Sequence, residues 1–261
     1  MKNISGAALL ILVFSAFTIP SLQTQAQRSY FTIRIYHYKN DTQEKRLDSF
    51  LRDALLPAFQ RQGIKSTGVF KPVVNDTAVD KKTYVLIPLN NAEQLAQLPN
   101  RLGKDKVYTS SAASFTGAAY NNAPFARMEA IFLYAFEDMP GIVVPRLSTP
   151  SQDRIYELRS YESATENLYR NKVKMFNAGG EIRLFNRLGF NAVFYGEVIA
   201  GPRMPNLMYM TSFENMEARN QHWKTFSNDP EWKQLSIQPE YKNNVSKIDI
   251  TLLHPTSYSQ L

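Results

Sequence analysis

One order of extended and helical segments occurs twice in this chain, and few folds accommodate it. Tyr30–Tyr38 reads YFTIRIYHY and Ile155–Tyr161 reads IYELRSY. Both are rich in β-branched and aromatic residues, which suit a pleated surface. A helical spacing follows each. Leu47, Phe50, Leu51, Ala54, Leu55 and Ala58 share one face of residues 43–62. Leu168, Val173, Phe176, Ile182 and Phe185 do so within 164–188. Pro57 is expected to kink or divide the first helix, and Gly179-Gly180 to interrupt the second. Gly63 and Gly189 then offer the left-handed residue that closes a last helical turn. Second strands are expected at 64–70 and 190–196, and third strands at 83–89 and 207–213. Asn-led helix entries are expected at 90–95 and 214–219, and last strands at 128–136 and 245–253. Strand, helix, strand, strand, helix, strand is the split βαβ order. The chain therefore reads as α+β: tandem ferredoxin-like βαββαβ domains with antiparallel sheets and helices on one face of each.

Such a sheet leaves its other face bare, and a large exposed apolar face is rare in soluble proteins. The expected cover is sheet against sheet, within the chain or between the two subunits of a homodimer. Glu137–Asp153 carries Pro140, Gly141, Pro145 and Pro150 and reads as the connection. The expected division is residues 27–139, a linker over 140–153, and residues 154–261. Tyr108–Pro124, rich in Ser, Ala, Gly and Asn, reads as a long irregular insertion.

Residues 1–26 read as a secretory signal. Lys2 is followed by the apolar run Ala7–Phe17, and Thr24-Gln25-Ala26 places small residues where a signal peptidase cuts. The run is shorter than the roughly 20 apolar residues a spanning helix needs, so no stable membrane anchor is expected. Cleavage after Ala26 would lower the formal charge from +7 to +6. The chain has no cysteine, which rules out disulfides, thiolate metal sites and a lipidated cysteine. A periplasmic or secreted location follows as the expectation. Basic residues are scattered among acids, so no nucleic-acid partner is expected.

Within the second half, Tyr156-Glu157-Leu158-Arg159-Ser160-Tyr161 is similar to the opening strand of the NIPSNAP family. Ser212–Arg219 resembles that family's second-helix signature, together with Trp223, Phe226 and Asp229-Pro230-Glu231-Trp232. The resemblance spans residues 154–253. It implies the dimeric α/β-barrel architecture, in which two sheets close face to face, and no settled reaction. The first half departs from the motif. It has Arg34 and Tyr36 where the second has Glu157 and Arg159, and it has neither tryptophan.

Strand alternation places Glu157, Arg159 and Tyr161 on one face and Tyr156, Leu158 and Ser160 on the other. Arg34, Tyr36 and Tyr38 form the corresponding polar set. The polar sets are expected between the sheets, forming a floor for an anionic or hydroxylated ligand together with Tyr195. The competing reading is a structural ion pair with tyrosines packing the sheet. His222 is a further ligand or proton-transfer candidate. Three histidines without cysteine give no metal spacing, and neither a phosphate loop nor a haem motif stands out. No metal and no cofactor are expected. Two functions remain open: a module binding a small organic ligand, or acting by interaction, between packed sheets; and a cofactor-free monooxygenase-like or isomerase-like enzyme.

Overall fold

The computed structural model describes residues 27–261; the segment read as a signal lies outside them. Eight strands form one closed barrel in the order β1-β3-β2-β8-β5-β7-β6-β4. The first half supplies β1 (Tyr30–Tyr38), β2 (Gly68–Pro72), β3 (Lys81–Leu89) and β4 (Arg127–Ala135). The second supplies β5 (Ile155–Glu162), β6 (Asn191–Ala200), β7 (Asn206–Phe213) and β8 (Lys247–Pro255). All pairings are antiparallel. Each half orders its strands 4-1-3-2, and the fourth strand of one pairs with the second of the other, β4 with β6 and β8 with β2. The two sheets thus cover one another within one chain.

Three layers of packing follow. All eight strands send apolar residues into the barrel, among them Phe31, Phe70, Leu133, Tyr156, Phe194 and Leu253, each fully buried. Outside the first half, α1 (Asp41–Phe50), α2 (Leu56–Arg61) and α3 (Ala92–Lys104) cover Tyr36, Tyr38, Val85 and Ile87. Outside the second, α6 (Glu166–Phe176), α7 (Glu181–Arg187), α8 (Met216–Asn228) and α9 (Pro230–Ser236) close over Tyr161, Tyr195, Tyr209 and Phe213.

This reverses the expected faces. Glu157, Arg159 and Tyr161 lie under the helices, while Tyr156 and Leu158 enter the barrel. The reason is the supply of partners. A buried carboxylate needs donors, and helices can bring Arg and Trp to it. A barrel interior walled by strands alone is filled more readily by aliphatic and aromatic side chains.

Local punctuation follows the sequence. Pro57 sits in the first turn of α2, and a π-helical turn, Leu51–Leu55, joins α1 to α2. Gly180 adopts φ +92° between α6 and α7, a conformation open to glycine at little cost. Asp229 caps α9, accepting from the backbone N–H groups of Glu231 and Trp232, with Pro230 in the first turn. The segment expected to be irregular, Tyr108–Pro124, is partly helical instead. It contains most of α4 (Lys106–Ser111) and all of α5 (Ala113–Thr116), because Asp105 caps α4 through the Tyr108 N–H and Phe115 stacks on Phe50 at 4.0 Å. The connecting stretch is tied down by Glu214. Its carboxylate accepts from the Thr149 hydroxyl at 2.6 Å and from the Ser148 and Thr149 N–H groups. These bonds hold its pKa down to about 2.

Candidate functional site at the barrel mouth

The polar set of β5 forms a closed network. Glu157, fully buried, accepts from Arg159 Nε at 2.6 Å, Arg219 Nε at 2.7 Å and Trp223 Nε1 at 2.8 Å. Arg159 lies over the Trp223 ring at 3.7 Å and donates to the Tyr161 hydroxyl at 3.0 Å, which in turn bonds Tyr209 at 2.8 Å. Burial pushes the Glu157 carboxyl up, yet the bonds and charges of Arg219 and Arg159 outweigh it and hold it below the ordinary range. Every oxygen of this carboxylate is engaged, so the network ties α8 to the sheet. Tyr195 stacks on Tyr209 at 5.5 Å, and its hydroxyl has no hydrogen-bond partner among the described residues. The His222 Nδ1 sits 2.8 Å from the Ala218 carbonyl, with the ring against Phe190 and Phe213.

The first-half set lies in a different layer. Tyr36 meets Phe125 edge-on at 5.5 Å beside Arg34, and burial raises its pKa above the ordinary value. Tyr38 accepts from Asn75 Nδ2 at 2.6 Å, and burial pushes it up to about 12. Arg34, Tyr36 and Tyr38 therefore do not join Glu157, Arg159, Tyr161, Tyr195 and His222 in one site.

Open space lies elsewhere. Pairing of β2 with β8 stops at Pro72 opposite Leu253, and pairing of β4 with β6 stops at Phe132 opposite Ala200. At that end the barrel opens into a cavity of about 300 Å³. Register assembles it. Lys82 and Arg127 flank His37 on neighbouring strands, while Met208 and Asp249 flank Ser160. Both halves therefore line it. Ile35, Ile131, Leu158 and Met208 make the apolar walls; Tyr84, Ser160, Asn206 and Thr251 add neutral hydrogen-bonding groups. None of the eight residues singled out from the sequence borders it.

His37 is the distinctive group at this mouth. It is 3% exposed, with Nδ1 2.8 Å from Asp80 Oδ1 and Nε2 3.1 Å from Glu129 Oε1. The Nε2 contact is close but too poorly aligned to count as a hydrogen bond. Arg127 pairs with Glu129 at 2.9 Å and Lys82 with Asp80 at 3.3 Å. Arg203 pairs with Asp249 on the opposite side. Burial raises the Tyr84 pKa above its usual value, so this phenol stays protonated near neutrality. Alternation carried the missed signal. His37 ends the apolar face Phe31, Ile33, Ile35, and Ser160 ends the face Tyr156, Leu158.

Residues 156–260 match the NIPSNAP family model, seven residues beyond the stretch that the motifs marked. The fold is shared more widely. A "putative monooxygenase" from Lactobacillus acidophilus NCFM aligns with a TM-score of 0.58 and 10% identity, over 88% of this chain and 94% of that one. An anthrone oxidase-like protein aligns at 0.53 and 10%, over 88% and 92%. A NIPSNAP-like domain protein from Burkholderia xenovorans is 19% identical over 41% of this chain and 90% of that one, with a TM-score of 0.38. No curated protein matches the sequence. At these identities the likeness is one of fold.

Proposed function

We propose that this NIPSNAP-like chain is an exported protein that binds a small organic ligand at the mouth of its barrel. The observation that carries the reading is the cavity itself: it combines apolar walls with a few convergent polar groups, the usual make-up of a small-molecule site. The space between the sheets is packed along the rest of the barrel, so the ligand sits at the mouth rather than among Glu157, Arg159 and Tyr161. Binding is tested by thermal shift across a library of small organic compounds, repeated with Met208→Trp, which fills the cavity. Stabilisation by hits should vanish in that variant. Hits that persist in a folded Met208→Trp protein would place the ligand elsewhere.

A cofactor-free isomerase-like or monooxygenase-like activity is the second reading. His37 between two carboxylates favours it, as a group able to pass a proton; the monooxygenase-like fold is consistent with it. Product formation by any hit compound, lost in His37→Gln with binding retained, would establish it.

Export rests on Lys2, the apolar run Ala7–Phe17 and Thr24-Gln25-Ala26. The protein recovered from the periplasm or medium should begin at Gln27 by intact mass. Recovery only from the cytoplasm, with the first 26 residues retained, would refute it.

A further inference from the structure

We infer that the mouth cavity selects an uncharged, one-ring or short-chain amphiphile carrying a hydroxyl or carbonyl group, inserted apolar end first. This rests on the ligand-binding reading above and adds the ligand's chemistry.

The charges around the mouth argue for it first. Lys82 is paired with Asp80, Arg127 with Glu129, and Arg203 with Asp249. Each of the three cations that line the cavity already faces a carboxylate, Glu129 and Asp249 within the lining and Asp80 beside it, so among the described residues none of these cations waits for a counter-ion from a ligand. An anion would approach Glu129 and Asp249 as closely as it approached their arginines, and a cation would meet the converse. Either would have to break an existing pair, and like charges brought together oppose binding.

The walls argue second. Ile35, Ile131, Leu158 and Met208 are each between 4% and 8% exposed, so the cavity's inner side is apolar. A charged group cannot be seated there without a partner. The polar groups between wall and rim are neutral. Ser160 and Asn206 are 6% and 2% exposed and hydrogen bonded to each other at 2.9 Å. With Tyr84 and Thr251 they can each donate to or accept from a hydroxyl or carbonyl. A site built of such groups favours a ligand that satisfies them over one that leaves them unpaired.

Volume argues third. A cavity of about 300 Å³ has room for about ten waters at the ~30 Å³ each occupies in the liquid. At that density it holds one substituted ring with room to spare.

The test uses three probes of one shape: 4-ethylphenol (neutral), 4-ethylbenzoate (anionic) and 4-ethylbenzylamine (cationic at neutral pH). Binding to the mature protein is followed by protein-observed NMR titration at fixed ionic strength. 4-Ethylphenol should bind at least about tenfold more tightly than either charged analogue. Its affinity should fall by at least about tenfold in both Met208→Trp and Ile131→Trp, which fill the cavity from opposite halves. Melting curves identify a variant that fails to fold, and the other then decides. A charged probe that binds as tightly as the phenol overturns the inference and leaves the ligand-binding reading standing. No binding by any of the three at millimolar concentration also overturns it. The wider reading falls with it only if the compound library is silent too.

Discussion

Glu157→Ala lowers the stability of the protein by about 3–5 kcal/mol, the usual effect of removing one partner from a buried ion pair. For a chain of this size that is roughly 10 °C in Tm. The substitution strips Arg159, Arg219 and the Trp223 indole N–H of their shared acceptor at once. Two guanidinium groups then face each other beneath α8 with no counter-charge. The pH dependence has a definite sign. The carboxyl of Glu157 is held below its ordinary value of 4.5 in the folded chain. Its contribution is therefore fully present above the unfolded value and lost as the pH falls through the folded one. In Glu157→Gln the stability deficit should be large at neutral pH and shrink in acid. Denaturant melts from pH 7 down to pH 3 measure this. A deficit unchanged across that range would show that the pair does not carry the charge coupling assigned to it.

Residues 154–261 expressed alone should form a homodimer of twice the single-chain mass. Without the first half, β6 and β8 lose their partners β4 and β2, and unpaired edges invite association. Tyr156, Leu158, Phe194, Met208, Met210 and Leu253 lose the cover that keeps each at 5% exposure or less. A second copy offers both remedies in one geometry. Its β6 can take the place of β2 beside β8, and its β8 the place of β4 beside β6, so that β8 of one copy pairs with β6 of the other, twice. Sedimentation or light scattering decides. A stable, soluble monomer would mean that the second half does not need a sheet against it.

The site was only partly legible in advance, for a reason that particular residues show. The resemblance of the second half and the order of its elements are written in local spacing, and residues 156–260 carry the family match. Glu157, Arg159 and Tyr161 share one strand face, as alternation requires, because alternation is a property of the strand itself. Which way that face points is not. Arg219 and Trp223 lie more than 60 positions away in the chain, and only their arrival on α8 makes the helix side tolerable for a buried carboxylate. The surroundings of His37 are hidden in the sequence for the same reason. On β1 it is an isolated histidine. Asp80 and Glu129 become its neighbours through the pairing of β1 with β3 and β4.

The repeated order of strands and helices, the caps at Asn40, Asn91, Thr165, Asn215 and Asp229, and the turns at Gly63, Gly180 and Gly189 are determined by the sequence alone. They depend on contacts within a few residues, where backbone geometry and side-chain hydrogen bonds act directly. Tertiary structure alone decided that the barrel closes within one chain, that the polar face of β5 turns to the helices, and that the open space lies at the seam. Those outcomes depend on which distant strand supplies the missing edge and which distant side chain supplies the missing charge. Neither is encoded in local spacing.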